Sequence, residues 1–167
     1  MIRIWIKYTV MFISLVLIQV LILNYIQFSG YVNPYIYILF ILLLPVSIPR
    51  YVLVLLGFLI GLVIDIFSNT PGMHASATTF IAFARPYIID VISPREMDKS
   101  DYPGLSQYGF RWFLYYSAIL IFLHHVFFFY VEVFSFINFF HTLFRSILSS
   151  VFSVFIIVLS QFLIFRE

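Results

Sequence analysis

Apolar runs of membrane-crossing length follow one another along nearly the whole of this chain. Ile4 to Leu23, Tyr51 to Phe67, Phe110 to Tyr130 and Ser146 to Phe165 each match the roughly 17 to 25 residues that carry a helix across a bilayer. Two further runs are less regular. Tyr35 to Leu44 meets Pro45 and then Pro49, which predicts a second span over 35–48 that is short or broken near its end. The run over 74–92 opens with Ala75, Ser76, Ala77, Thr78 and Thr79 and meets Arg85-Pro86 after about three helical turns, so the fourth span reads as short or kinked. Six spans of about 20 residues leave no room for a sizeable soluble domain in 167 residues. The composition agrees, since 63% of the side chains are hydrophobic and 10% charged, against roughly 45 to 50% apolar in soluble domains. The expectation is one all-α integral membrane domain, 1–167, with six transmembrane helices over about 4–23, 35–48, 51–67, 74–92, 110–130 and 146–165.

Ile4 to Leu23 is too long for a signal-peptide core and no small-residue cleavage site follows it, so it reads as a retained first helix. Six spans place both termini on one side, and the basic residues choose it. Arg3, Lys7, Arg50, Arg85, Arg95, Lys99, Arg111 and Arg166 fall near ends on the N-terminal side, and only Arg145 on the other. The positive-inside rule then predicts cytoplasmic termini. The hydrophilic loop from Ser93 to Gly109 mixes Arg95 and Lys99 with Glu96, Asp98 and Asp101, unlike a polybasic lipid-binding patch. The connection from Val131 to Arg145 carries Phe134, Phe136, Phe139 and Phe140 and is expected to rest in the membrane interface.

Some residues are not ordinary lipid-facing side chains. Gly57, Gly61 and Asp65 recur every fourth residue, on one stripe of the third span. Glycines so spaced admit another backbone closely, and Asp65 on the same stripe faces protein. Either Asp65 caps a neighbouring helix or the Ser68 to Gly72 turn, or it is a functional ionisable group. Ser146, Ser150 and Ser153, with Ser149 and Ser160, form a small-residue seam on the sixth span that suits close packing. Arg85 is expected to snorkel to headgroups or pair with Asp90, or else to bind an anion inside the bundle.

With this topology Asp65, His74, His124, His125, Glu132, His141 and Arg145 gather at the outer end as a polar cluster. Histidine with carboxylate raises metal binding. However, His124 and His125 point about 100° apart on a helix, and no His-x-x-x-His or Glu-x-x-His pair lies within a span, so a hydrogen-bonded network is the favoured reading. No phosphate-binding loop, G-x-S-x-G elbow or H-E-x-x-H motif occurs. No cysteine is present, and a net charge of +2 does not suggest a nucleic-acid partner. Neither an enzyme nor a cofactor is expected, and membrane lipid is the first partner.

The stretch from Gly57 to Ala77, GFLIGLVIDIFSNTPGMHASA, resembles the MreD family of rod-shape-determining membrane proteins. That pattern joins a glycine-containing helix ending in aspartate to a glycine and His-Ala after a short turn, matched here by Gly61, Asp65, Gly72, His74 and Ala75. The run Asn33 to Pro45 and the later Arg85-Pro86 look like the Bacteroidetes-type versions; the second half is matched mainly by hydropathy. The resemblance implies a non-enzymatic component of the bacterial cell-elongation complex in the inner membrane. Such proteins work with the bitopic MreC, the MreB filament, RodA and a class B penicillin-binding protein. Contact with an MreC-like protein is then expected through lipid-facing aromatics such as Phe127, Phe128 and Phe129 and the connection from Val131 to Arg145. The resemblance also implies a bundle similar to the S components of energy-coupling-factor transporters. This leaves a second functional reading, a small-ligand-binding transport component with its site at the outer polar cluster.

Overall fold

The computed structural model describes residues 2–26, 32–93, 102–134 and 137–164. The helices are α1 (Ile2–Leu21), α2 (Leu39–Leu43), α3 (Arg50–Ser68), α4 (Met73–Ile92), α5 (Leu105–Val133) and α6 (Phe139–Ile164), with a single 3-10 turn at Leu23–Tyr25. No strand occurs among the described residues. Five of the helices, all but α2, are long and apolar enough to cross a membrane. The protein is therefore an all-α, multi-pass membrane protein. Lys7 lies over the Tyr102 ring at 4.3 Å and Phe110 meets Phe162 at 6.0 Å, so the starts of α1 and α5 and the end of α6 share one end of the bundle. The α3–α4 turn marks the other, here the turn end; there Asn24 Nδ2 donates to Ser68 Oγ at 3.0 Å and ties the end of α1 to α3.

The second expected span is short, as its prolines predict, and is not itself of membrane-crossing length. Only five residues of 35–48 are α-helical. Leu44, preceding Pro45, is held at φ −62°, ψ 148°, the extended geometry a following proline enforces, and α2 stops there. The segment still runs the depth of the bundle, because every residue from Pro34 to Leu44 is buried. Such enclosure explains why it is apolar all round, with no polar stripe. A buried segment with few helical hydrogen bonds needs other partners for its backbone, and these come from side chains. Gln19 of α1 accepts from the Ile36 amide at 2.8 Å and donates to the Pro34 carbonyl at 3.1 Å. Ser149 and Ser153 of α6 accept from the Asn33 and Tyr35 amides at 3.1 and 2.9 Å.

At the far end Arg85 performs the complementary task. It is 1% exposed, neither snorkelling nor paired with the exposed Asp90. Its Nε donates to Tyr116 Oη at 2.7 Å, and its guanidinium also reaches the Leu44 and Pro45 carbonyls. Tyr116 Oη donates in turn to the Leu42 carbonyl at 2.9 Å. The end of a helix exposes carbonyls with no partner and a partial negative charge. The cation of Arg85 and the hydroxyl of Tyr116 supply both donors and charge to that end of α2.

α3 and α4 run antiparallel in tight contact. A Cβ on Gly57 would sit 2.8 Å from Ala82 Cβ, and one on Gly61 would sit 2.5 Å from the Ala75 Cα. The stripe expected on the third span is thus a close crossing, with Ala75, Thr78 and Ala82 as its opposing face. Three further expectations change. α4 continues through Pro86 to Ile92 without a break. The link between α5 and α6 spans only 134–138, so the residues from Phe139 to Arg145 are helical. Phe128 and Phe129 are 3% and 0% exposed and belong to the interior, whereas Phe127 is half-buried and stacks on Phe80 at 4.9 Å. Among the described residues of 131–145 the exposed phenylalanines are Phe134, Phe139, Phe140 and Phe144. Arg95, Glu96, Asp98, Lys99, Asp101, Phe136 and Arg166 lie outside the described residues, as does the side chain of Arg3.

Candidate functional site

The polar residues of the turn end fall into three connected groups. The first is built on the α3–α4 turn. Asn69 takes the left-handed conformation (φ 57°) and its amide returns to the Asp65 carbonyl, ending α3. Gly72 follows at φ 84°, where a side chain would be strained, and α4 starts at the next residue. Gly72 has no side chain with which to cap α4, and Asp65 does so from the preceding helix. Its Oδ1 accepts from the His74 amide at 3.0 Å and from Thr70 Oγ1 at 2.9 Å, and its Oδ2 accepts from the Ala75 amide at 2.9 Å. The carboxylate is 3% exposed and sits on the positive end of the α4 dipole. Every residue of the motif therefore serves one joint. Gly61 allows the approach, Asp65 caps, Gly72 turns, and His74 and Ala75 supply the capped amides.

The second group is a buried chain of rings. Tyr37 Oη lies 2.7 Å from His74 Nδ1 and 2.8 Å from His124 Nε2, bridging α4 and α5 through the buried segment. One hydroxyl proton serves two ring nitrogens, so the tautomers are linked. His124 Nδ1 is buried without a partner. An orphaned N–H is the costlier defect in an apolar interior, which assigns the His124 proton to Nε2. Tyr37 then accepts from His124 and donates to His74 Nδ1, leaving the His74 proton on Nε2. His125 sits apart from this chain. Its Nδ1 donates to the Ile121 carbonyl at 2.8 Å, and Ser153 Oγ, which accepts from the Tyr35 amide, donates to its Nε2 at 3.2 Å. Tyr35 stacks on His125 with ring centroids 5.1 Å apart.

The third group is the rim. Arg145 Nη1 donates to Glu132 Oε2 at 2.7 Å, joining the end of α5 to the start of α6. With the Asn33 amide turned so that its oxygen faces the guanidinium, Arg145 Nη2 donates to it at 2.9 Å. The cation also covers the Phe129 face at 4.2 Å. His141 is exposed and is not among the residues that line the cavity between these groups.

Between the three groups lies a cavity of about 350 Å³ at the turn end, half open to the outside. His74, Glu132 and Arg145 line it, with Asn24, Asn33 and Ser68. Asp65, His124 and His125 do not. The expected cluster is thus split into a capping carboxylate, an internal ring chain and a cavity wall. No group of three His, Asp or Glu side chains converges on one point among the described residues. Tyr37, Gln19, Tyr116 and Ser68 were not anticipated as polar partners. A glutamine amid the apolar first span was the visible signal for Gln19, whereas a tyrosine inside a hydrophobic run carries no mark of what its hydroxyl meets. No family model, no curated protein and no solved structure matches this chain.

Proposed function

We propose that this protein is a non-enzymatic, multi-pass component of the bacterial cell-elongation machinery, of the MreD type. It would sit in the inner membrane with both termini in the cytoplasm, joined to an MreC-like bitopic protein and through it to the MreB filament, RodA and a class B penicillin-binding protein. The observation that carries this reading is the α3–α4 joint, in which Gly61, Asp65, Gly72, His74 and Ala75, the five residues of the family-like pattern, form one packed and capped unit. A motif whose glycines, carboxylate and backbone amides hold two helices together suits a scaffold. The same economy extends to Arg85, His124 and His125, whose hydrogen bonds go to backbone and neighbouring side chains.

On this reading the docking surface is taken from the exposed aromatics Phe134 and Phe140 and the link between α5 and α6, replacing the buried Phe128 and Phe129. The test is purification from native membrane in mild detergent followed by mass spectrometry of what remains bound. Recovery of a coiled-coil bitopic protein and cell-wall synthases supports the proposal. Recovery of a paired ATPase with a membrane coupling subunit refutes it in favour of a transport component.

A further inference from the structure

We infer that the cavity at the turn end binds a compact zwitterion, an oxyanion joined to a primary ammonium, such as the headgroup of an aminophospholipid. The inference does not depend on the adaptor reading; it rests on which hydrogen-bonding groups of the cavity wall are spent and which are left.

The spent groups come first. Asn24 is fixed between Gln19 and Ser68, Thr70 is committed to Asp65, and His74 Nδ1 is committed to Tyr37. Apart from the hydroxyls of Tyr25 and Tyr35, which can donate or accept, what remains is one-sided except at a single residue. A guanidinium carries five N–H groups, of which Arg145 places one on Glu132 and one on Asn33; its Nε is enclosed, so the second N–H of each Nη is what remains for the cavity. His74 keeps its proton on Nε2 by the tautomer argument above. Ser68 Oγ accepts from Asn24, so its own hydroxyl proton is available. These are donors, and they call for an acceptor-rich group such as a phosphate or carboxylate. The exception is Glu132, whose Oε2 is taken by Arg145 and whose Oε1 is an unfilled acceptor on a side chain 34% exposed.

Charge narrows the choice further. Arg145 and Glu132 cancel, so the wall is neutral, and a simple anion would meet the Glu132 carboxylate beside its own site. A ligand with both charges meets each with its opposite: the oxyanion faces Arg145, His74 and Ser68, and the ammonium faces Glu132. The wall charges are in contact at 2.7 Å, which requires the ligand charges to be close together as well. A volume of about 350 Å³ is ample for such a group. At the rim Tyr25 and Phe67 are 82% and 63% exposed, the belt expected of aromatics at headgroup depth. The zwitterion is therefore reachable from either the membrane or the water, as a lipid headgroup or as a free molecule.

The experiment places the full chain in nanodiscs and measures its melting temperature, since a ligand that favours the folded state raises it. Discs of phosphatidylethanolamine are compared with discs of phosphatidylglycerol, and the latter are titrated with free phosphoethanolamine and with inorganic phosphate. Stabilisation by the ethanolamine lipid alone supports the inference with a membrane source; stabilisation by free phosphoethanolamine as well supports it with access from water. Equal stabilisation by phosphatidylglycerol or inorganic phosphate overturns it in favour of a plain anion site. Absence of any difference among lipids and solutes overturns it outright. Arg145→Lys keeps the charge and loses the fork, and Glu132→Gln keeps the shape and loses the ammonium partner. Each is expected to weaken phosphoethanolamine about tenfold, the usual worth of a charge-assisted hydrogen bond. Should Arg145→Lys fail to fold, Glu132→Gln decides alone: unchanged or tighter phosphoethanolamine binding by that variant overturns the zwitterion.

Discussion

Replacing Asp65 with asparagine exchanges one oxygen for an NH2 group and tests how the α3–α4 joint is held. The carboxylate presents one oxygen to the His74 amide and the other to the Ala75 amide, both about 3 Å away. Asparagine keeps one oxygen and turns an NH2 group toward the remaining amide, so one donor of α4 is left facing another donor. A lost hydrogen bond to a charged acceptor costs about 1.5–3 kcal/mol. Loss of the negative charge from the helix N-terminus adds about 0.3–2 kcal/mol. The expected destabilisation is about 2–5 kcal/mol, a large share of the roughly 5–15 kcal/mol typical of a folded domain. Two assays read it: unfolding of the protein in mixed lipid–detergent micelles by denaturing detergent, followed by circular dichroism, and hydrogen exchange at individual backbone amides. Exchange at Ala75 and His74 should accelerate well before that of α5. If Asp65→Asn lost under about 1 kcal/mol and left exchange at those two amides unchanged, the capping role would be refuted, because the magnitude rests on those bonds.

The remaining predictions concern three other places. Gly61→Ala drives a Cβ to 2.5 Å from the Ala75 Cα and from the His74 carbonyl oxygen, and should cost at least the 1–3 kcal/mol or so typical of overpacking in the same unfolding assay. Arg85→Lys retains the charge but cannot serve Tyr116, Leu44 and Pro45 together, and Tyr116→Phe strands both Arg85 Nε and the Leu42 carbonyl; each is expected to cost about 1.5–3 kcal/mol, with protease sensitivity rising at the Pro45–Pro49 connection. Burial, followed by the nearby Tyr8, pushes the Tyr102 hydroxyl up to about 12 from its usual 10. A raised folded-state value means that the unfolded chain loses this proton first, so the contribution is intact below pH 10 and is lost as pH rises toward about 12. A difference ultraviolet titration of the protein against its Tyr102→Phe variant should reveal one tyrosine ionising near the top of that range, and a tyrosine titrating near 10 would contradict the packing of this segment.

The parts of the fold legible in the sequence are those in which hydropathy and spacing act locally. The four long spans follow from uninterrupted apolar runs, and the Gly57–Gly61–Asp65 stripe follows from the 3.6-residue period alone. What could not be read depends on partners distant in the chain. Whether 35–48 is a membrane helix turns on Ser153 and Gln19 being placed to take its amides, and more than 100 residues separate Tyr35 from Ser153. Arg85 looked like a charge in need of headgroups, a carboxylate or an anion because a carbonyl set from Leu44 and Pro45 leaves no charged letter in the sequence. The histidines were grouped by depth, and depth does not distinguish a cavity wall from a ring chain behind it; Tyr37, anonymous in its apolar run, links His74 in the wall to the enclosed His124.

The buried course of 33–45 also dictates an order of biogenesis. A translocon releases spans into lipid as they emerge, yet this segment's backbone amides and carbonyls would meet hydrocarbon unsatisfied, at several kcal/mol each. Its partners Arg85, Tyr116, Ser149 and Ser153 are all synthesised later, the last of them more than 100 residues on. The segment must therefore remain sheltered, at the insertion machinery or against the headgroups, until α6 has been made. A chain truncated before α6 should accordingly be retained by the insertion apparatus or degraded, even though most of its hydrophobic spans are already complete.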